Sequence, residues 1–374
     1  MIAVDKKIIN EKLDLVIAKL MNLDAPDDAM DKETSAETQI KGMVARDFGI
    51  QEWDWPQGVG LYGLLELQKA RGTTEYDGFL RQCVVSNLGR GLPSANINTT
   101  APFLTVFDLA ERYDLPDLKK LCRERAEQLM RDFPKTQENG FEHITSAIGD
   151  RNGVHRNREQ LWVDTLFMAI LFLSKMAVRC DNDEWKQATI HEYLLYLKYL
   201  ADKKTGLFYH GWSFDGRHNF GNIFWCRGNS WFTYAAPVYL HGMEGCIGRA
   251  DREFILTGWR NQVDGLLRVQ DACGLWHTVL DDPDTYIETS GSAAITAGIL
   301  YGIRMGYLGE EYKEAGAYAV EALLGYIEED GTVGSVSAGT AMGMNKEHYT
   351  NILIHPMAYG QSLTALALTE ALYI

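Results

Sequence analysis

Residues 161–176, Leu-Trp-Val-Asp-Thr-Leu-Phe-Met-Ala-Ile-Leu-Phe-Leu-Ser-Lys-Met, place a single acidic side chain, Asp164, before an apolar run. We predict that this run lies in a helix over 160–179. An ionised Asp at its start is costly to bury unless it is paired or hydrogen-bonded, and desolvation can instead raise its pKa. Two interpretations follow: Asp164 caps the helix, or it is a carboxylic acid that gives up a proton near neutral pH.

The same helical pattern extends over the whole chain. Apolar residues recur at three- and four-residue steps near the N-terminus, at positions 8, 13, 15, 17 and 20, as on one face of a helix. Strand-like alternation is confined to short pieces such as 331–336. We predict about twelve helices, near 5–23, 57–71, 75–89, 102–113, 115–132, 160–179, 182–200, 229–242, 249–270, 290–306, 309–328 and 357–371.

These helices fall into pairs because short and long connections alternate. Long connections in a compact domain are usually functional, and here they span 24–56, 90–101, 133–159, 201–228, 271–289 and 329–356. No Pro/Gly/Ser-rich linker divides the chain. The pattern predicts an all-α fold, an (α/α)6 barrel of six helical hairpins with long loops at the active-site end, as one domain over 1–374. An α-solenoid is the alternative, although no repeat sequence is visible.

Composition excludes several classes of protein. The 374 residues are 46% hydrophobic and carry a net charge of −15. A nucleic-acid binder needs a basic face, so none is expected as a partner, whereas a small acidic ligand remains possible. No signal peptide or membrane span is predicted. The six cysteines are scattered, which gives no support to a metal site or a disulfide framework and favours thiols in a reducing cytoplasm.

A segment rich in aromatic residues precedes the predicted helix 229–242. Trp225 and Trp231 offer flat apolar faces for sugar rings, and Arg227 has the fork geometry that suits a carboxylate. His210 can donate, accept or shuttle a proton. The structural alternative is that the tryptophans fill the core and that Arg227 makes a salt bridge or packs on Trp231 four residues later.

Four further positions are candidates for the same cleft, each with an ordinary alternative. Tyr62 and Trp55 line a cleft or belong to the core, and His143 is a ligand-contacting residue or a core histidine. Asn98 lies just before a predicted helix, where it or Thr99 can be the cap. No standard nucleophile elbow, phosphate loop, zinc motif or dinucleotide fingerprint is present, so we expect no metal or cofactor.

Several motifs together resemble a known family. They are LWVDTLFM at 161–168, FYHGWS at 208–213, the WxRGNxW pattern at 225–231, WPQGVGLYG at 55–63 and IETSGSAA at 287–294. In this order, from about Trp53 to the C-terminus, they resemble the unsaturated rhamnogalacturonyl hydrolases, glycoside hydrolase family 105. The unsaturated glucuronyl hydrolases share much of the pattern.

The resemblance implies an (α/α)6 barrel and an unusual hydrolysis. Such enzymes hydrate the 4,5 double bond of an unsaturated uronyl residue at the nonreducing end of an oligosaccharide, and the glycosidic link is then lost. Ordinary glycosidases need two carboxylates, whereas here one acid/base suffices. The resemblance makes Asp164 the proton donor to C4 and the acceptor of a proton from water. It makes substrate-binding residues of Tyr62, His143, Trp162, Met168, His210, Trp225, Arg227 and Trp231.

One position departs from the family pattern. Related glucuronyl hydrolases have a second Asp in the segment that aligns with 96–100, where this chain has Asn98.

The pKa expected for Asp164 raises a separate question. A helix N-terminus should lower the pKa of Asp164, whereas a proton donor needs it raised. We therefore predict that protonation of Asp164 is coupled to substrate binding.

The sequence favours a cytoplasmic hydrolase of small acidic oligosaccharides, acting as a monomer or homodimer without a membrane partner. The alternatives are an unsaturated glucuronyl hydrolase, a sugar epimerase on the same barrel with a His pair as acid/base, and a helical-repeat binding protein.

Overall fold

A computed structural model describes residues 5–24, 45–147 and 150–373. Helices of the first half are α1 Lys6–Met21, α2 Trp55–Arg71, α3 Asp77–Arg90, α4 Ile97–Thr100, α5 Phe103–Arg112, α6 Pro116–Asp132 and α7 Leu171–Arg179. Those of the second half are α8 Asp183–Tyr199, α9 Cys226–Gly242, α10 Arg249–Arg268, α11 Thr289–Arg304, α12 Lys313–Leu324, α13 Lys346–Thr350 and α14 Ala358–Ala371. The four strands form two antiparallel pairs, β1 Ile144–Ser146 with β2 Val154–Arg156, and β3 Gln160–Trp162 with β4 Gly211–Ser213.

Six helices form a closed inner ring. In order around it, α2 contacts α5, α5 contacts α7, α7 contacts α9, α9 contacts α11, α11 contacts α14, and α14 returns to α2. The ring helices α9, α11 and α14 are buried along almost their whole length, as expected of helices that are apolar on every side. This closure confirms the predicted (α/α)6 barrel and is not the open end-to-end stack of a solenoid.

The outer helices bury only one face each. α1 packs on α14, α3 and α6 on α5, α8 on α7, α10 on α9, and α12 on α11. Glycines let the inner helices approach closely, since a Cβ at Gly63 would lie 2.2 Å from Ser362 Oγ and one at Gly298 would lie 2.4 Å from the Thr233 carbonyl. Outer and inner helices therefore alternate along the chain, and each long connection leads from an outer helix to the next inner one, which puts the long connections at one end.

The local assignments differ from the sequence predictions in a few places. Residues 160–162, predicted as the start of a helix, instead form β3, because they pair with β4 some 50 residues later. The helix predicted over 309–328 is a 3₁₀ turn at 310–312 followed by α12. Segment 331–336 makes only an isolated bridge from Val333 to Ile327 and is not a strand. The short helices α4 and α13 lie inside long connections and were not predicted.

Among the residues that the structure describes, no helix is both long and apolar enough to cross a bilayer. All six cysteines are free thiols.

Candidate active site

A cleft of about 740 Å³ opens at the end of the barrel where the long connections meet. Its walls come from five of the six connections. Eight residues singled out in the sequence line it, namely Trp55, Asn98, His143, Trp162, Asp164, Met168, Trp225 and Arg227. The connections that are far apart in the chain therefore converge on one site.

Asp164 lies where β3 ends and the inner helix begins. Its carbonyl accepts the N–H groups of Phe167 and Met168, at 3.1 and 3.0 Å, and a π-helical turn, Leu166–Ile170, then leads into α7. Single π turns inside helices often mark functional sites. The side chain of Asp164 does not cap this helix by a hydrogen bond, so the capping interpretation is wrong.

The carboxylate of Asp164 faces an imidazole. Its Oδ2 lies 3.2 Å from Nε2 of His210, yet the N–H is not aligned well enough for a hydrogen bond, and neither atom has another partner among the described residues. The Asp164 side chain is 18% exposed, whereas that of His210 is 2% exposed. The pair is thus held close together at the wall of the cleft, with its polar capacity unused.

Burial by itself raises the pKa of Asp164, but the imidazoles of His210 and His143 outweigh it and hold the pKa below its ordinary value of 3.8. Hydrogen-bond donors and positive charge near a carboxylate favour its ionised form in this way. Asp164 is therefore ionised near neutral pH in the unliganded protein. The lowered pKa agrees with the expectation for an Asp at a helix N-terminus, and the two histidines contribute to the lowering.

His210 is positioned by the pairing of β3 with β4. Trp162 pairs with Gly211, and the N–H of Val163 donates to the His210 carbonyl at 3.0 Å. The ring packs on Trp225, with centroids 4.5 Å apart. Its Nδ1 lies 2.8 Å from the hydroxyl of Tyr349, which leaves Nε2 directed at Asp164.

His143 is held in a similar manner on another wall. Its ring stacks on Trp162 at 4.5 Å with an interplanar angle of 10°, and Nδ1 lies 2.9 Å from Oγ1 of Thr165. Burial lowers its pKa to about 4. His143 is therefore neutral at pH 7 and lines the cleft as a polar but uncharged group.

Arg227 is almost completely buried and its guanidinium is used inside the protein. It donates to the carbonyls of Ser337 and Ala338, both at 2.7 Å, and NH1 lies 3.6 Å from Oε1 of Glu288. The guanidinium packs on Trp225 at 4.5 Å and on Tyr359, and not on Trp231. These contacts favour the structural interpretation of Arg227 over the binding of a substrate carboxylate.

Tyr62 and Trp231 lie beneath the cleft in the barrel core. Tyr62 is 2% exposed and meets Phe167 edge-on at 5.6 Å. Trp231 is fully buried and packs against the same ring at 5.3 Å. Neither is among the described residues that line the cleft, so their placement favours the packing alternative.

Asn98 is free of the capping role that the sequence left open. The cap of α4 is Asn96, whose side chain accepts the N–H of Thr99 at 2.9 Å. Asn98 stands instead among the residues of the cleft wall. Its amide occupies the segment where related glucuronyl hydrolases were expected to have an Asp.

Two further carboxyl residues that line the cleft, Asp47 and Asp54, were missed. Asp54 accepts the N–H of Trp55 at 2.8 Å at the start of α2, and its Oδ2 accepts the hydroxyl of Ser146 at 2.5 Å. Burial raises its pKa. The sequence did carry a signal, since Asp before Trp-Pro with Gln57 three residues later is a capping box, but that pattern only predicts a cap.

No group of three or more His, Cys, Asp and Glu side chains in the described ranges is arranged to hold a metal ion. The chemistry available in the cleft is that of carboxyl groups, imidazoles and aromatic faces.

Comparison with known proteins identifies the family of this chain. The model of Glycosyl Hydrolase Family 88 matches residues 29–374. The unsaturated rhamnogalacturonyl hydrolase YesR of Bacillus subtilis is 31% identical over 339 residues, which are 90% of this chain and 95% of that protein. The family resemblance seen in the sequence is confirmed.

Solved structures give the same result. A possible family 105 member from Salmonella enterica superimposes with a TM-score of 0.91 at 32% identity, covering 99% of this chain and 95% of that chain. The unsaturated glucuronyl hydrolase of Bacillus sp. GL1 has a TM-score of 0.67 at 17% identity, covering 96% and 95%, and it shows the fold alone. With its barrel, its cleft and a family match over most of its length, this chain is a glycoside hydrolase that belongs to glycosyl hydrolase family 88.

Proposed function

We propose that this enzyme removes the 4,5-unsaturated galacturonyl residue from the nonreducing end of rhamnogalacturonan-derived disaccharides, with Asp164 as the only general acid/base. The observation that carries the proposal is the 3.2 Å approach of Asp164 to His210 in an aromatic-walled cleft. The similarity to YesR over 90% of the chain supports the choice of substrate.

The reaction is an addition of water. Asp164 gives its proton to C4 of the alkene, and water adds its oxygen to C5. One proton of that water goes to the Asp164 carboxylate, and the other stays in the new hydroxyl group on C5. The hemiketal at C5 opens to a ketone. The C1 hemiacetal left behind then collapses to an aldehyde and releases the next sugar, so no second carboxylate is needed.

Because Asp164 is ionised in the unliganded site, substrate binding must raise its pKa before it can act as a proton donor. The uronate carboxylate of the substrate is a like charge, and a like charge that enters a desolvated site raises the pKa of a neighbouring carboxyl. In this proposal the apparent pKa that limits kcat lies above the one that limits kcat/KM, since these report the complex and the free enzyme respectively. Equal values would contradict the coupling.

The decisive experiment follows the ultraviolet absorbance of the conjugated double bond in lyase-generated unsaturated rhamnogalacturonan disaccharide. Wild type should remove it, and Asp164→Asn should be slower by about 10³-fold or more, at the upper end of what acid/base groups contribute. Asp54→Asn is the matched control, since Asp54 is a carboxyl of the same cleft whose oxygens are taken up by Ser146 and Trp55. It should be slower by less than tenfold.

A substrate panel separates the near alternatives. Loss of absorbance only with unsaturated glucuronyl disaccharides would replace the rhamnogalacturonan substrate. Comparable rates for Asp164→Asn and wild type would exclude Asp164 as the acid/base. No loss of absorbance by wild type with either substrate would instead favour the sugar epimerase or the binding protein.

We further propose that 1–374 forms one catalytic domain, because a continuous apolar core runs from Ile9 in α1 to Ala371 in α14. The cytoplasmic location and the monomeric or homodimeric state remain predictions from the sequence.

A further inference from the structure

Tyr349, on the short helix α13, contacts both His210 and the segment around Met342 that lines the cleft. It is 1% exposed. Its hydroxyl oxygen lies 3.0 Å from the N–H of Gly343, 2.8 Å from Nδ1 of His210 and 3.8 Å from the sulfur of Met342. Gly343 lies between Met342 and Met344, which line the cleft. One hydroxyl therefore contacts both this segment and the imidazole beside Asp164.

The single hydroxyl proton has only one good acceptor. The N–H of Gly343 donates to the oxygen, which leaves the O–H to point at either His210 or Met342. A thioether is a weak acceptor, whereas an unprotonated ring nitrogen is a strong one. Burial raises the pKa of Tyr349 far above its ordinary value, so the hydroxyl keeps its proton and donates it to Nδ1.

Charge on the other side of the ring requires the same arrangement. Nε2 faces the Asp164 carboxylate at 3.2 Å, and an N–H directed at an anion is attractive while a lone pair is repelled. The other titratable groups whose charge His210 feels are His143 and His348, and burial lowers the pKa of both. Both sides of the imidazole therefore favour the tautomer with its proton on Nε2.

We propose that Tyr349 is a positioning residue, which donates to Nδ1 of His210 and thereby keeps Nε2 protonated against Asp164. If Asp164 is the acid, as in the proposed function on which this inference rests, the tautomer of His210 affects the proton transfer. A protonated Nε2 has no lone pair with which to take the proton of Asp164. It also faces Oδ2 at 3.2 Å, which is the buried oxygen, so we place the transferable proton on Oδ1.

Nitrogen NMR of the full chain labelled with ¹⁵N-histidine tests this without any substrate. The spectrum of His210→Gln identifies the His210 signals among those of nine histidines. Neutral His210 should appear as the Nε2–H tautomer in wild type, and Tyr349→Phe should show a new Nδ1-protonated population. A wild-type His210 protonated on Nδ1 would overturn the proposal, as would an unchanged tautomer in Tyr349→Phe.

Tyr286→Phe is the matched control, because the Tyr286 hydroxyl lies 3.3 Å from the Tyr349 backbone carbonyl and does not contact His210. It should leave the His210 signals unchanged. In turnover, Tyr349→Phe should lower kcat at least tenfold with KM changed less than threefold, whereas Tyr286→Phe should change both by less than threefold. An equal loss of kcat in both variants would indicate mere anchoring of the loop.

The two proposals fail in different ways. If no variant and no wild type turns over an unsaturated uronyl substrate, the proposed function fails while the wild-type NMR result still decides the tautomer. If Tyr349→Phe does not fold, a wild-type His210 protonated on Nδ1 would still overturn the proposal.

Discussion

Two close pairs of polar side chains at the cleft end of the barrel differ in how fully they are hydrogen-bonded. In Arg227–Glu288 the side chains are 1% and 0% exposed, and in His210–Asp164 they are 2% and 18% exposed. Glu288 accepts the N–H groups of Gly291 and Ser337, at 2.6 and 3.0 Å. By contrast, the facing atoms of His210 and Asp164 have no aligned partner in the described parts of the chain.

The difference shows how a polar pair that stabilises the fold can be told from one that is available for proton transfer. A buried pair that also bonds to backbone groups holds segments together, and here Arg227 and Glu288 join α9 and α11 to the 337–338 segment, although Nε of Arg227 has no partner among the described residues. A pair that is close but not hydrogen-bonded keeps proton affinity available for a ligand. Both contain conspicuous residues of the sequence motifs, and under the proposed function only the second exchanges a proton with substrate.

The largest effect that would sharpen this contrast concerns Arg227. Arg227→Met leaves Glu288 as an unpaired buried charge, which should lower the free energy of unfolding by about 3–5 kcal/mol. Denaturant unfolding followed by circular dichroism measures it. The double variant Arg227→Met/Glu288→Gln should recover part of the loss because it removes the stranded charge.

Asp164→Asn is the counterpart, with catalysis lost and the free energy of unfolding changed by less than about 1 kcal/mol, as for a residue at a cleft wall. The contrast would break if Arg227→Met kept its stability and only raised KM, because Arg227 would then bind substrate.

The next effect is a pH dependence of stability from His143. Its pKa is about 4 in the folded protein and 6.5 ordinarily, so the unfolded chain takes up a proton first as the pH falls. Stability from this group is fully present above pH 6.5 and is lost between 6.5 and about 4, by at most ~3 kcal/mol. His143→Gln should flatten that part of the unfolding profile. A variant with the same profile as wild type would show that His143 does not contribute.

The smallest effect tests the core beneath the cleft. Tyr62→Phe removes only a buried hydroxyl that interacts with Tyr234. The loss should lower the free energy of unfolding by about 1 kcal/mol. It should change kcat/KM by no more than about twofold, which corresponds to about 0.4 kcal/mol of transition-state binding. Trp162→Phe, at the cleft wall, should lower kcat/KM more. If Tyr62→Phe were the more damaging to kcat/KM, Tyr62 would belong to the binding site after all.

The sequence determined the helices, their pairing and the barrel, because helical periodicity and the alternation of short and long connections are local properties of the chain. It also pointed to Asp164 and to most of the residues that line the cleft, since their motifs lie within a few positions of one another. The start of the helix over 160–179 was wrong because β3 exists only through its pairing with β4.

Only the tertiary structure decided which of these residues are available for chemistry. Arg227 reaches Ser337 across 110 positions and His210 reaches Tyr349 across 139, and no local pattern encodes contacts at such separations. Tyr62 and Trp231 are aromatic residues of the sequence motifs like Trp162 and Trp225, yet the first two pack on Phe167 in the core, whereas the other two line the cleft. Burial and partner choice arise when distant segments converge, and they decide whether a polar side chain is saturated or left free to react.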